Sequence, residues 1–254
     1  MKYMGSKARI AKHILPIMLE EAEKQGITKW VEPFIGGANS IQRVPKEFKR
    51  VGIDNNRFLI AMYQSLQNNG FSFIEDIDKS FYSKIRNCYN NNLSYTEDGD
   101  VVDDALIGWV GFMASANGRF FEGGYSGVSR TKVGTTRNYV DESIRGIKKE
   151  WDDIKGVHFE YGDYLGFSFN NSLVYCDIPY KDTKQYATSK GFNHEQFYDW
   201  CREQAKRNIV FVSEYNAPDD FECVWQQEVK SSLSANGVTG GNKVSVEKLF
   251  RVTA

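Results

Sequence analysis

Four consecutive residues, Asp177-Ile178-Pro179-Tyr180, close an apolar run, Leu173-Val174-Tyr175-Cys176. Such a run reads as a buried strand. Its tip carries a charged acceptor, a residue that stiffens the backbone and a flat ring. Together these suit a planar, amine-bearing ligand: the carboxylate accepts from it, Pro179 restrains the loop and Tyr180 offers a stacking face. The same residues would also make an ordinary strand-ending turn capped by an aspartate. The company they keep must decide between the two.

Three further groups bear on that choice. Glu32-Pro33-Phe34-Ile35-Gly36-Gly37-Ala38-Asn39-Ser40 falls where a first strand, Trp30 to Ile35, should give way to a helix. Glycines there let a ligand approach the backbone closely. The pair is not a full GxGxxG signature and also suits a plain tight turn. Asp54 ends the next strand about twenty residues on, where an acid accepts the ribose hydroxyls of a nucleoside cofactor; elsewhere it would be a loop cap. Asp163, followed by Tyr164, suits an adenine amino group with the ring stacked beside it, or an Asx turn.

These groups need a frame. Short β-rich runs at 30–35, 50–53, 157–161, 172–176 and 208–212 alternate with helical stretches, and 223–229 and 247–252 form a final pair. This pattern predicts an α/β fold with a seven-stranded, mostly parallel sheet and one antiparallel hairpin. Four of the first five strands end at a carboxylate and the other at glycines. Ligands gather at the carboxyl ends of strands in open parallel sheets. Residues 57–156 interrupt the alternation, with helices expected over 57–66, 72–89, 105–116 and 139–151 and a glycine- and aromatic-rich loop at 117–127. The chain therefore divides into a catalytic domain, 1–56 and 157–254, and a mainly helical insertion, 57–156.

Composition narrows the setting. Of 254 residues 41% are hydrophobic, enough for a sizeable core. No run suggests a membrane span or a secretory leader. Four scattered cysteines and three lone histidines show no metal-ligand spacing and point to free thiols in a cytoplasmic protein without a metal. Net charge is −1, so any contact with phosphate must be local. Residues 1–18 hold Lys2, Lys7, Arg9 and Lys12 without an acid before Glu20, and Arg130, Lys132 and Arg137 form a second basic stretch. No apolar face calls for a partner copy, which makes a monomer the default.

Taken in order, the motifs resemble the Dam-like N6-adenine DNA methyltransferases, which use S-adenosylmethionine (AdoMet). Tyr3-Met4-Gly5-Ser6-Lys7 resembles their N-terminal motif, Glu32 to Gly37 their cofactor turn, and Gly162-Asp163-Tyr164 their Gly-Asp-Phe element. Asp177 to Tyr180 resembles Asp-Pro-Pro-Tyr, Phe192 to Phe197 a following helix start, and Ser245 to Phe250 the closing strand. The resemblance covers nearly the whole chain. It implies an AdoMet-methyltransferase, Rossmann-like fold in which the insertion reads the target in duplex DNA of a bacterial or phage-infected cell. Tyr3, Lys7, Phe34, Gly36, Gly37, Asp54, Asp163 and Tyr164 would surround the cofactor, with Lys7 set for its carboxylate or a phosphate. Asp177, Ile178, Pro179 and Tyr180 would receive a flipped adenine. Asn117 and Arg119 would meet base edges, and Arg130, Lys132 and Arg137 phosphates.

Two positions depart from the pattern: Ala38 stands where the turn often has glycine, and Ile178 replaces the first proline. Ile178 serves such a site through its backbone carbonyl. Other planar amines (cytosine N4, an RNA adenine, a glutamine amide) fit the same tetrapeptide, and the two departures also suit an inactive DNA-binding relative.

Overall fold

A computed structural model describes residues 1–3, 5–131, 133–180, 191–230 and 244–253. Lys132 and Met4 lie outside these residues, as does the whole stretch 231–243 between the last two expected strands.

The sheet follows from alternation within each strand. In β6 (Leu173–Asp177), Leu173 and Tyr175 enter one core cluster and Val174 and Cys176 the other. In β7 (Ile209–Glu214), Ile209 and Phe211 divide from Val210 and Val212 in the same way. A strand that is apolar on both sides must be covered on both faces. One cover comes from α1 (Ala11–Lys24), α2 (Arg57–Asn69), α4 (Asp104–Met113) and α5 (Tyr139–Ile154). The other comes from α6 (His194–Ala205) with the aromatic residues around Tyr164.

The remaining strands are β1 (Lys29–Glu32), β2 (Lys49–Asp54), β5 (His158–Tyr161), β8 (Phe221–Lys230) and β9 (Val244–Val252), in the order β5-β2-β1-β6-β7-β9-β8. The first five are parallel; β9 runs antiparallel to both β7 and β8. This is the expected seven-stranded, mostly parallel sheet. The order turns back between β1 and β6, which opens a crevice at their carboxyl ends. Because β9 is reversed, with Lys248 opposite Glu214, its first half lies beside those same ends.

Local signals set several boundaries. Asn56 caps α2 by accepting from Phe58 and Leu59 N–H groups at 3.1 and 3.2 Å. The helix expected over 72–89 starts only at α3 (Lys79–Asn91), because Asp78 accepts from the Phe81 N–H and fixes the first turn there. No full helix follows the glycine turn; a single 3-10 turn, Ile41–Arg43, stands in its place before Pro45. Residues 57–156 also contain a hairpin, β3 (Val128–Arg130) with β4 (Thr136–Asn138).

Candidate active site

The carboxyl ends of β1 and β6 bring the glycine turn and the tetrapeptide together. These strands pair directly, Val31 opposite Val174. Asp177 and Glu32, at their tips, are near enough that the Asp177 charge disfavours ionisation of Glu32. Glu32 is buried and accepts from the Trp30 indole N–H at 3.0 Å. Burial, with a smaller contribution from Asp177, pushes its carboxyl up to about 8.

Asp177 meets Lys7. The ammonium lies 3.0 Å from Asp177 Oδ1 and 4.0 Å from Glu247 Oε2. It also sits 4.1 Å from the centre of the Tyr180 ring and 3.4 Å from the Gly5 carbonyl. Burial raises the Asp177 carboxyl and Lys7 opposes that rise. Burial pulls the Lys7 ammonium down, but Asp177 and Glu247 outweigh it and leave Lys7 above its ordinary value. Lys7, expected against a cofactor carboxylate or phosphate, lies here between Asp177 of the tetrapeptide and Glu247 of β9. The Tyr180 hydroxyl donates to Glu247 Oε2 at 2.7 Å, and its ring meets Tyr215 edge-on at 4.5 Å.

The loop is held from behind. His194, at the start of α6, places Nε2 3.0 Å from the Pro179 carbonyl, which requires the Nε2–H tautomer for a hydrogen bond. The same nitrogen lies 3.9 Å from the fully buried Glu214. Ile178 is buried in the core cluster on the α6 side. Its branched side chain is therefore packed among apolar neighbours rather than left in solvent.

The glycine turn is packed by the chain's own N-terminal segment. A Cβ on Gly36 would stand 2.8 Å from Tyr3 Cε1, and one on Gly37 2.5 Å from Tyr3 Cβ. Gly36 has φ +46° and Ala38 φ +56°, so Ala38 adopts the left-handed conformation that glycine takes more readily. The Gly36 carbonyl accepts from the Tyr63 hydroxyl at 3.1 Å.

Asp54 accepts from Gly36 N–H at 3.0 Å and Asn56 N–H at 2.9 Å, one on each oxygen. Burial raises its carboxyl to about 6, against the pull of those two donors. A carboxylate has about four acceptor positions, so Asp54 retains room for two further donors, as a ribose diol would supply. Asp163 accepts from the Leu165 N–H at 2.9 Å, an Asx turn that leaves its second oxygen. Phe34 and Tyr164 lie 5.2 Å apart, with Phe192 against both. An acid at the end of β2, an acid after β5 and an aromatic wall make a set of acceptors and stacking faces that fits an adenosyl group.

Besides Tyr63 of α2, residues 57–156 meet this site at the 117–119 turn. A Cβ on Gly118 would stand 2.4 Å from the Lys2 carbonyl oxygen, so the 117–119 turn lies against residues 2 and 3. Ser115 Oγ accepts from the Phe121 N–H at 3.0 Å and closes the loop. Asn117 is exposed. The half-buried Arg119 carries a buried Nε with no hydrogen-bond partner among the described residues. Arg130 and Arg137 lie exposed on the β3–β4 hairpin, further along the chain. Arg137 is paired with Glu142, which also draws Lys2 at 3.6 Å.

Sequence reasoning left Glu247, Glu214 and His194 without roles. Glu214 had a signal, since an acid that ends an apolar strand matches the other strand tips. Glu247 had none, because only the reversal of β9 brings it to this edge.

A methyltransferase-type sheet with an acidic Asp-Ile-Pro-Tyr tip beside a glycine turn defines a class, and comparison with known proteins places the chain within it. Residues 3–216 match the model of the D12 class N6 adenine-specific DNA methyltransferases. The chain belongs to that family. It is 22% identical over 223 residues to the type II methyltransferase M.MjaIII of Methanocaldococcus jannaschii, covering 78% of this chain and 74% of that one. Among solved structures, the rRNA methyltransferase aviRa of Streptomyces viridochromogenes superposes with a TM-score of 0.40 at 8% identity, over 98% of this chain and 86% of that one. The family makes adenine in DNA the acceptor and implies AdoMet as donor. No group of histidine, cysteine or acidic residues suited to a metal, and no helix long and apolar enough to cross a membrane, occurs among the described residues.

Proposed function

We propose that this chain methylates N6 of an adenine flipped out of duplex DNA, with the target amine held between the Asp177 carboxylate and the Ile178 carbonyl. The observation that carries the reading is the meeting of Lys7, Asp177 and Tyr180 at the end of β6, one strand from the glycine turn.

Adenine's amino lone pair is spread into the ring and makes a poor nucleophile. Acceptors aimed at both amino hydrogens favour a more pyramidal nitrogen and stabilise the positive charge that develops there. Asp177 supplies one with the oxygen that Lys7 leaves free. Pro179, tied to His194, keeps the loop from relaxing. Tyr180 gives the base a stacking face worth about 1–3 kcal/mol. Asp177 need not remove a proton first, since the methylated amine is strongly acidic and loses one afterwards. AdoMet supplies an activated methyl group when bound. Asp54 would accept its ribose hydroxyls, Asp163 its adenine amine, and Phe34, Tyr164, Tyr3 and the Gly36-Gly37 turn would wall the remainder. Nothing in this scheme requires a metal.

Residues 57–156 serve as the target-reading unit. Asn117 and Arg119 face base edges, a role supported by the Arg119 Nε, which has no hydrogen-bond partner among the described residues. Arg130, Lys132 and Arg137 bind phosphates, and the protein acts as a monomer. The test is incubation with methyl-labelled AdoMet and mixed-sequence duplex DNA. Label should appear in N6-methyladenine, and Asp177→Ala should abolish it while leaving most cofactor affinity. Label confined to RNA or protein, or full turnover by the variant, would overturn the assignment.

A further inference from the structure

Glu247 lies beyond residues 3–216, the span that matches the family. Its side chain is 14% exposed, and burying a charge there costs free energy unless the charge is used. One oxygen, Oε2, makes two contacts. It accepts from the Tyr180 hydroxyl at 2.7 Å and faces Lys7 Nζ at 4.0 Å. Lys7 is at the same time 3.0 Å from Asp177 Oδ1. One ammonium is therefore shared by two carboxylates. Holding a phenol alone needs only a neutral acceptor, which leaves the charge to be explained.

We propose that Glu247 is a positioning residue for methyl transfer. It fixes the Tyr180 ring through the phenol. By drawing on the Lys7 ammonium, it also limits the neutralisation of Asp177, so the free Asp177 oxygen keeps its accepting power for the target amine. The inference rests on the roles given above to Asp177 and Tyr180.

Glu247→Gln keeps the shape and an acceptor for the phenol while removing the charge. The expected result is a kcat lowered about tenfold, at most about a hundredfold, as small misplacements at a reacting centre cause. DNA affinity and thermal midpoint should stay near those of the parent. Among the described residues, the groups facing Asp177 are Lys7, Glu247, Glu32, Tyr175 and Tyr180. Glu247 opposes ionisation of Asp177, so its neutralisation should move the acid limb of kcat/KM to lower pH. Tyr180→Phe should lower kcat and leave that limb in place. Glu247→Asp, which restores the charge at a shorter reach, should return the limb towards its parental position; it also decides the matter if the glutamine variant does not fold, because its kcat should fall with the limb unmoved. An unchanged kcat and acid limb in Glu247→Gln, or an unchanged kcat in Glu247→Asp, overturns the proposal. Asp177→Ala runs beside them: if it still turns over, the reading of the whole site fails, whereas a dead Asp177→Ala with a fully active Glu247→Gln removes only the role of Glu247.

Discussion

Lys7→Met would remove the ammonium between Asp177 and Glu247 while keeping an unbranched apolar chain of similar reach. With an effective dielectric constant of about 20, its attraction to Asp177 at 3.0 Å is about 5–6 kcal/mol and to Glu247 at 4.0 Å about 4 kcal/mol. Most of that gross attraction offsets the cost of burying three charges. Removing one member of a buried pair, by contrast, leaves a charge without compensation and costs about 3–5 kcal/mol. The loss should depend on pH. Burial already raises Asp177 in the parent, and without Lys7 it rises further. A carboxyl raised above its unfolded value favours the protonated folded state. The variant should therefore lose stability as pH climbs through the raised value and regain it as pH falls. Urea unfolding followed by tryptophan fluorescence, at several pH values from about 5 to 8.5, measures this directly. Lys7→Met combined with Glu247→Gln removes one charge of each sign and should recover at least about 1 kcal/mol of the loss at the upper end. A single variant as stable as the parent at every pH, or a double variant no better than the single, would refute the shared-ammonium account.

Glu32 gives a second pH test: with its carboxyl raised to about 8 against an ordinary 4.5, it should make stability fall by about 1.4 kcal/mol per pH unit between those values, and Glu32→Gln should abolish that slope in the same unfolding series. Gly118→Ala would drive a Cβ to 2.4 Å from the Lys2 carbonyl at φ +65°, and should cost about 2–4 kcal/mol in the thermal transition. Arg130→Ala should reduce the dependence of log K for DNA on log salt by about one and weaken binding evenly across sequences, whereas Arg119→Ala should weaken it most at the preferred site; fluorescence anisotropy on matched and random duplexes separates the two.

Much of the fold was legible because local patterning carries it. Apolar runs fixed the seven strands to within a few residues, and the carboxylates at their tips marked the edge where a ligand belongs. Boundaries that depend on one contact were less legible. Asp78 starts α3 seven residues later than the apolar pattern of 72–89 suggests. The glycine turn leads to one 3-10 turn because Ala38 is left-handed and Pro45 follows closely. The Asp-Ile-Pro-Tyr tip, the glycine turn and Asp54 could all be found by spacing, but the partner of Lys7 could not.

The sequence by itself determined which elements form and what chemistry their ends carry, since periodicity and turn residues act between near neighbours. The tertiary structure decided who meets whom. Tyr180 and Glu247 are 67 positions apart and share a hydrogen bond only because β9 runs backwards beside β7. The same packing places Lys7 on Asp177 and presses Gly118 against residue 2. Strand order and direction set those meetings, and a buried charge settles on whatever opposite charge they bring within reach.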